Sequence, residues 1–380
     1  SRKRVRYHRF RILRFSFLSD NSDTSMTTVH QLVPTISPRD AVGNHTLALR
    51  KILRELGFES EIFSMFRHTD LMTDTHYVDE LPGDTDVVIY QFSIGSPVAD
   101  RWAQHPALKV ANYHNITPMS LVGKWDGLLA AEVQLGRDQM ARYAKLCDHA
   151  ICDSDFNRSE LDALGYKSTE TIPVLFDSLN TQSDRGTLAK LERDRRGTQV
   201  LFVGRIAPNK AHHDLVAAVR TLREVHNDDA HLHFVGTDGP PSYRRTLNGI
   251  INHAGMRDHV TFHGSVSQEQ LVSHYMAADV FCCLSDHEGF CVPVIEAMNH
   301  DLPVIAFSCT AVGETVGSGG LLLAEKSPLL VASAIHRVSN DGALAQRLRQ
   351  AGRQRAKNFE SGITQEKFRR QISNLILESL

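Results

Sequence analysis

At 380 residues the chain exceeds the roughly 250–300 residues at which one hydrophobic core stops growing, so two domains are expected. With 42% hydrophobic and 23% charged residues it has the composition of an ordinary globular protein, and no apolar run approaches the ~20 residues of a bilayer-spanning helix; an integral membrane protein is excluded, a peripheral one is not. A formal net charge of −2 provides no global field for nucleic acid, so any anion must be bound by local sites. The six cysteines (Cys147, Cys152, Cys282, Cys283, Cys291, Cys309) show neither zinc-type spacing nor a C-x-x-C pair. They read as reduced, buried small hydrophobes, which places the protein in the cytoplasm.

Residues 1–25 are basic, with Arg2, Lys3, Arg4, Arg6, Arg9, Arg11 and Arg14, but lack the apolar core and cleavage site of a secretory signal. They are expected to be a disordered extension, or a basic contact with anionic lipid at the inner face of the plasma membrane. From Met26 short apolar runs alternate with amphipathic segments, the pattern of parallel sheets covered by helices. VHQLV predicts a strand, 34–44 a loop, and 45–56 a helix with Leu49, Ile52, Leu53 and Leu56 on one face, closed by Gly57. Further strands are predicted at ESEIF, DVVIYQF, LKVANYH and HAICD, with helices near 131–145 and 157–164.

The stretch 176–198 is polar and aperiodic and reads as the connection between domains. Boundaries follow at 26–180 for the first domain, 181–198 for the linker and 199–358 for the second domain. The second series begins with the strand QVLFVG, then a helix over 209–225 with Leu215, Ala218, Val219, Leu222 and Val225 at helical spacing, then the strands HLHFVG, VTFHG, DVFCCL and PVIAF. Near-continuous apolar strands suit a parallel sheet buried on both faces. Helices fill 328 onward, and a last one near 364–377, within 359–380, is expected to return to the first domain. Two such sheets facing each other leave a cleft at the carboxyl ends of their strands.

Two stretches carry the chemistry. In SDHEGFCVPVIEAM a strand passes through a loop into a helix near Val292, so Glu288 falls on the loop, Glu296 on the helix, and the N–H groups of Gly289, Phe290, Cys291 and Val292 at the helix amino end, where an anion such as a diphosphate is favoured. In LFVGRIAPNKAHHDLVAAV a strand ends at Gly204 and Arg205, and Lys210 opens the next helix. Arg205 can bind phosphate as a fork and Lys210 as a point charge.

Together these stretches resemble the retaining glycosyltransferases of family four, which have the GT-B fold of two Rossmann-like domains. The resemblance covers Met26 to about Phe359 and rests on VGR-x-x-P-x-K, VTFHG-S-V, the two glutamates of EGFCVPVIE, AM-N-H-D-LPVIA and AVGNHTLALRKILRELG. It implies that Arg205 and Lys210 neutralise the diphosphate of a nucleotide-sugar donor, Glu296 binds the ribose and Glu288 lies at the donor sugar. Gly264, Ser265 and Val266 would line the nucleobase through their backbone. Gly43 and Asn44 would approach the diphosphate from a first-domain loop, and His114, in YHNITP, would stand at the sugar end of the cleft. Three positions depart from the family pattern: Asn44 follows Gly43 where many members have paired glycines, Cys291 stands where many have glycine, and Asp301 replaces a common glycine.

The expected reaction is hexosyl transfer with retention from a UDP-, GDP- or ADP-sugar to a saccharide or lipid-linked hydroxyl, in polysaccharide or glycolipid synthesis. Arg205, Lys210 and the helix amides would stabilise the departing diphosphate with no protein nucleophile. Alternatives on the same fold are a nucleotide-sugar epimerase, a sugar phosphorylase or a catalytically silent binding protein. No cofactor, no nucleic acid and no metal is assigned. The D-x-D runs Asp84-Thr85-Asp86 and Asp153-Ser154-Asp155 read as strand-end and capping residues, and neither His231-Leu232-His233 nor His212-His213 comes with a third ligand at convincing spacing.

Overall fold

The computed structural model describes residues 26–37, 40–176 and 181–379. The basic segment 1–25, read as an extension or a lipid contact, lies outside the described residues. The first half contains β1 (Val29–Ile36), α1 (Ala41–Glu55), β2 (Ile62–Arg67), β3 (His76–Tyr77), β4 (Val87–Phe92), α2 (Pro97–Gln104), β5 (Leu108–Tyr113), α3 (Met119–Val122), α4 (Gly127–Tyr143), β6 (His149–Cys152), α5 (Asp155–Ala163) and β7 (Thr169–Thr171). Its seven strands form one parallel sheet in the order β3-β2-β1-β4-β5-β6-β7. β4 is buried at every residue, as a strand covered on both faces requires.

After α6 (Arg185–Arg193) the second half contains β8 (Gln199–Val203), α7 (His212–His226), β9 (His231–Val235), α8 (Pro241–His253), β10 (Val260–Gly264), α9 (Gln268–Ala277), β11 (Val280–Cys283), α10 (Val292–Asn299), β12 (Val304–Phe307), α11 (Val312–Val316) and β13 (Leu321–Leu323). These strands form a second parallel sheet in the order β10-β9-β8-β11-β12-β13. In each sheet the order reverses once, between β1 and β4 and between β8 and β11, and such switch points are where doubly wound folds bind ligands. Three helices follow: α12 (Pro328–Asn340), α13 (Gly342–Ala356) and α14 (Ser361–Ser379). α14 returns to the first domain, where Phe368, Ile372 and Leu375 pack with Val29, Leu49 and Leu53. Among the described residues no helix is long and apolar enough to cross a membrane.

Two expectations about the chain path need correction. The predicted loop 34–44 is largely regular structure, because β1 continues to Ile36 and α1 begins at Ala41. Pro34 is tolerated inside β1 because pairing to β4 ends at Leu32, so its missing N–H deprives no ladder on that side. Asp40 starts the helix early, its carboxylate accepting from the Gly43 N–H at 3.0 Å. The predicted linker also contains a helix, α6, capped by Asp184 and tied to α9 through the Asp184 N–H to the Glu269 carbonyl at 3.0 Å. α6 is short and buries no residue fully, its apolar face being limited to the half-buried Leu188 and Leu191.

Candidate active site

The switch point of the second sheet gathers the motif residues. β8 ends at Val203, Gly204 and Arg205 follow, and a 3₁₀ turn at Pro208–Lys210 leads through left-handed Ala211 into α7. Across the gap β11 leads through Ser285 to Glu288 and into α10. Asn209 ties the two loops together: its carbonyl accepts from the Asp286 N–H at 2.8 Å, and its Nδ2 donates to the His287 carbonyl at 3.2 Å.

Lys210 Nζ donates to Glu288 Oε2 at 2.5 Å, and the Ser285 hydroxyl donates to Glu288 Oε1 at 2.8 Å. The two charged side chains are 21% and 8% exposed, so water screens the pair weakly. Burial pulls the Lys210 ammonium down, but the neighbouring carboxylate more than offsets this and its pKa is raised. The cation assigned to phosphate and the carboxylate assigned to the sugar therefore touch, a coupling that separate motifs do not reveal. Arg205 is exposed and has no ion pair among the described residues.

Beyond Glu288 the chain enters α10 through Cys291, whose φ is 77°. Among the described residues the N–H groups of Gly289, Phe290, Cys291 and Val292 have no protein acceptor, so four donors stand open beside Lys210. Asp301, at φ 57°, is another departure from a family glycine; it and Cys291 hold the left-handed conformation that glycine adopts without a Cβ clash, whereas Asn44 is helical. Thr310, β-branched and at φ 47°, is held there by two 2.9 Å bonds, its hydroxyl accepting from the Glu288 N–H and donating to the Glu288 carbonyl. Thr310 and Ser285 thus fix Glu288 from both sides, yet neither was singled out from the sequence.

Glu296 lies on α10 facing α9, where Oε2 accepts from the Tyr275 hydroxyl at 2.7 Å. Burial pushes its carboxyl up to about 7 despite that bond. Tyr275 is a further residue that no sequence signal marked, because only the packing of α9 on α10 brings it there. Gly264 ends β10 at φ 67° with its carbonyl accepting from the Gly236 N–H; Ser265 is exposed and Val266 half-buried.

The first-domain residues are placed differently from the sequence reading. Gly43 lies in the first turn of α1, not in a loop, and its N–H is taken by Asp40. A Cβ there would come within 2.5 Å of the Ser37 carbonyl, so the glycine serves helix-to-strand packing. Asn44 is exposed on the same turn. The His114 side chain is only 2% exposed, with Nδ1 2.9 Å from Asp153 Oδ2 and Nε2 2.7 Å from Gln91 Oε1. Its imidazole is turned into a buried polar chain that continues from Gln91 to Gln31, while its backbone carbonyl is the part that faces Gly289.

The D-x-D residues have structural partners. Asp86 accepts from Thr28, Ser154 caps α5, Asp153 pairs with His114, and Asp155 accepts from Thr171. All six cysteines are free, although Cys291 and Cys309 are half-buried where full burial was expected.

The cleft is closed in this structure. Glu314 of the second domain caps α5 of the first, its carboxylate oxygens each 3.0 Å from the Asp155 N–H. Trp125 packs edge-on against Tyr243, and Gly289 abuts the 114–115 segment so tightly that a Cβ would lie 2.6 Å from Asn115 Cβ and 2.7 Å from the His114 carbonyl oxygen.

Residues 186–355 match the family described as glycosyl transferases group 1. The GDP-mannose-dependent alpha-(1-6)-phosphatidylinositol monomannoside mannosyltransferase of Mycobacterium tuberculosis is 33% identical over 199 residues, covering 49% of this chain and 51% of that protein. The chain thus spans about half the length of this relative. Among solved structures, sucrose-phosphate synthase from Thermosynechococcus elongatus superposes with a TM-score of 0.73 at 20% identity, covering 92% of this chain and all of the other. Anabaena HepE, solved in complex with UDP-glucose, gives 0.71 at 16% identity, covering 91% and 99%. With two parallel Rossmann-like sheets facing across a cleft and the motif residues gathered at the switch point of the second, the chain has the GT-B fold, and its second half carries the match to the glycosyl transferases group 1.

Proposed function

We propose that the protein transfers a hexosyl group, with retention, from a nucleotide-diphosphate sugar to a hydroxyl of a saccharide or lipid-linked acceptor. The observation that carries this reading is the junction of Lys210, Glu288 and the amino end of α10, beside Arg205 at the β8 to β11 switch point, where among the described residues four amides and the guanidinium have no partner. A diphosphate set there meets two cations and a helix amino end, all prepositioned for charge that grows as the leaving group departs. Lys210 shifts its share of bonding from Glu288 to phosphate, which frees the carboxylate for the sugar hydroxyls. Glu296, with Tyr275 on one oxygen, offers the other to the ribose. Retention follows if the acceptor attacks from the face the diphosphate leaves, and the phosphate oxygen then takes the acceptor proton.

GDP-mannose use by the mycobacterial relative and bound UDP-glucose in HepE support a nucleotide sugar as donor and leave the base open between them. A thermal-shift panel of UDP-, GDP- and ADP-sugars tests the reading. The true donor at 100 times its dissociation constant stabilises the protein by about 2.7 kcal/mol. No response to any nucleotide sugar or free nucleotide sinks it, and product that is free sugar phosphate or an epimerised donor transfers the assignment to a phosphorylase or an epimerase.

A further inference from the structure

Three histidines from separate elements of the second domain, none of them assigned to the donor, converge. His233 lies on β9, His263 on β10 and His274 on α9, and one ring nitrogen from each falls within 4.8 Å of the others. His233 Nδ1 is 3.0 Å from His263 Nε2. The ring centres are 5.2 Å apart for His233 and His263, 4.2 Å for His263 and His274, and 6.4 Å for His233 and His274. Three imidazoles on one tetrahedral zinc, at Zn–N of about 2.0–2.1 Å, hold their nitrogens about 3.3 Å and their ring centres about 5 Å apart. The His233–His263 pair already has those dimensions, and His274 places a ring nitrogen within 4.8 Å of both.

Three further features point the rings at a common ligand. The Gln199 side-chain amide donates through Nε2 to the carbonyls of Arg196, at 2.5 Å, and Gly197, at 3.2 Å, so its Oε1 must be the atom 2.8 Å from His233 Nε2. That acceptor holds the proton on Nε2 and leaves the Nδ1 lone pair directed at His263, as outer partners of metal-bound histidines do. His263 sits at a register shift in β10, between Phe262 paired with Phe234 and Gly264 paired with Val235. An extra residue in a strand re-aims its side chain. His274 is only 4% exposed, yet among the described residues its ring makes no hydrogen bond. Its ring nitrogens stay reachable from solvent and open to an incoming ion.

We propose that His233, His263 and His274 form a three-imidazole site for a divalent transition-metal ion of the zinc type, with water as fourth ligand. The ion braces β9, β10 and α9 against one another. None of the three is a residue assigned to the donor, although His263 directly precedes Gly264 and His274 directly precedes Tyr275, and the proposal does not depend on the transferase reading. His231 is not among the histidines whose ring nitrogens converge, and its Nε2 is 2.8 Å from the Thr261 hydroxyl.

The test titrates chelator-treated, desalted full-length protein with Co²⁺ as a spectroscopic probe and then with Zn²⁺, reading stoichiometry by calorimetry. One equivalent is expected, with tetrahedral d–d bands, no thiolate charge-transfer band, and displacement of Co²⁺ by Zn²⁺. Gln199→Leu should weaken binding by about 10- to 100-fold, the cost of losing an outer partner. His263→Asn and His274→Asn should cost more than that, and His231→Asn should leave affinity unchanged. If His274→Asn fails to fold by circular dichroism, the half-buried His263→Asn carries the test. Absence of stoichiometric binding, or binding indifferent to His263→Asn, overturns the proposal. So does a thiolate band removed by Cys291→Ser, which would put the ion at the other cluster of potential ligands, Cys283, Glu288 and Cys291.

Discussion

Gly289→Ala probes whether the closed cleft is the working arrangement. The added Cβ would lie 2.6 Å from Asn115 Cβ, 2.7 Å from the His114 carbonyl oxygen and 3.3 Å from Asn157 Nδ2. Carbon atoms rest at about 3.5–4.0 Å, so the contact is short by about 1 Å against atoms fixed to the opposing backbone. Residue 289 is not among the positive-φ positions, so alanine does not strain its own domain and the clash is relieved by opening the cleft. A misplacement of about 1 Å between groups that must meet costs about 100-fold in rate. The expected outcome is a kcat reduced about 100-fold with the donor identified by thermal shift, an unchanged thermal midpoint, and a larger radius of gyration in solution scattering. Asn115→Gly in the same protein should recover part of the activity, because it removes the nearest atom at a residue whose φ of 78° suits glycine, while the His114 carbonyl remains. Wild-type kcat in Gly289→Ala would refute the reasoning, and the interdomain contact would then play no part in turnover.

The two glutamates should separate kinetically: Glu296→Ala mainly raises the donor KM, because the ribose is held equally before and during reaction, whereas Glu288→Ala mainly lowers kcat, by roughly 10²- to 10³-fold. Lys210→Ala should harm both and, by leaving the nearly buried Glu288 unpaired, should melt lower than the double variant Lys210→Ala/Glu288→Gln; equal midpoints would remove the pair from the account of the site. With Glu296 raised to about 7 by burial, ribose hydroxyls find a full carboxylate acceptor only above that pH, so the donor KM should rise as pH falls through 7 and lose this dependence in Glu296→Gln. The sign for stability is opposite: a carboxyl raised in the fold binds protons more tightly there than in the unfolded chain, so its contribution falls as pH rises from about 4.5 to 7. Glu296→Gln should therefore gain thermal stability relative to wild type at pH 8 but not at pH 4.

The parallel α/β architecture and the second-domain motifs were legible in the linear chain because both are local: strand burial writes runs such as VVIYQF, and a strand–loop–helix junction keeps Glu288, the open amides and Glu296 within nine residues. Arg205 and Lys210 were legible for the same reason, as the end of one strand and the turn after it. What the chain did not display is whatever depends on which surface meets which. Gly43 looked like part of a phosphate loop, but the Ser37 carbonyl behind it and the Asp40 cap place it in a helix. His114 borders the cleft through its backbone carbonyl, whereas Gln91 on β4 and Asp153 just after β6 take both its ring nitrogens. Lys210 and Glu288 are 78 residues apart, and only the adjacency of β8 and β11 makes them one ion pair. The convergence of His233 with His263 and His274 was hidden for the same reason, because the other two arrive from a neighbouring strand and from a helix. Hydrophobic periodicity reports each element's own burial and carries no information on its partners, so polar contacts between distant elements are decided only when the sheets assemble.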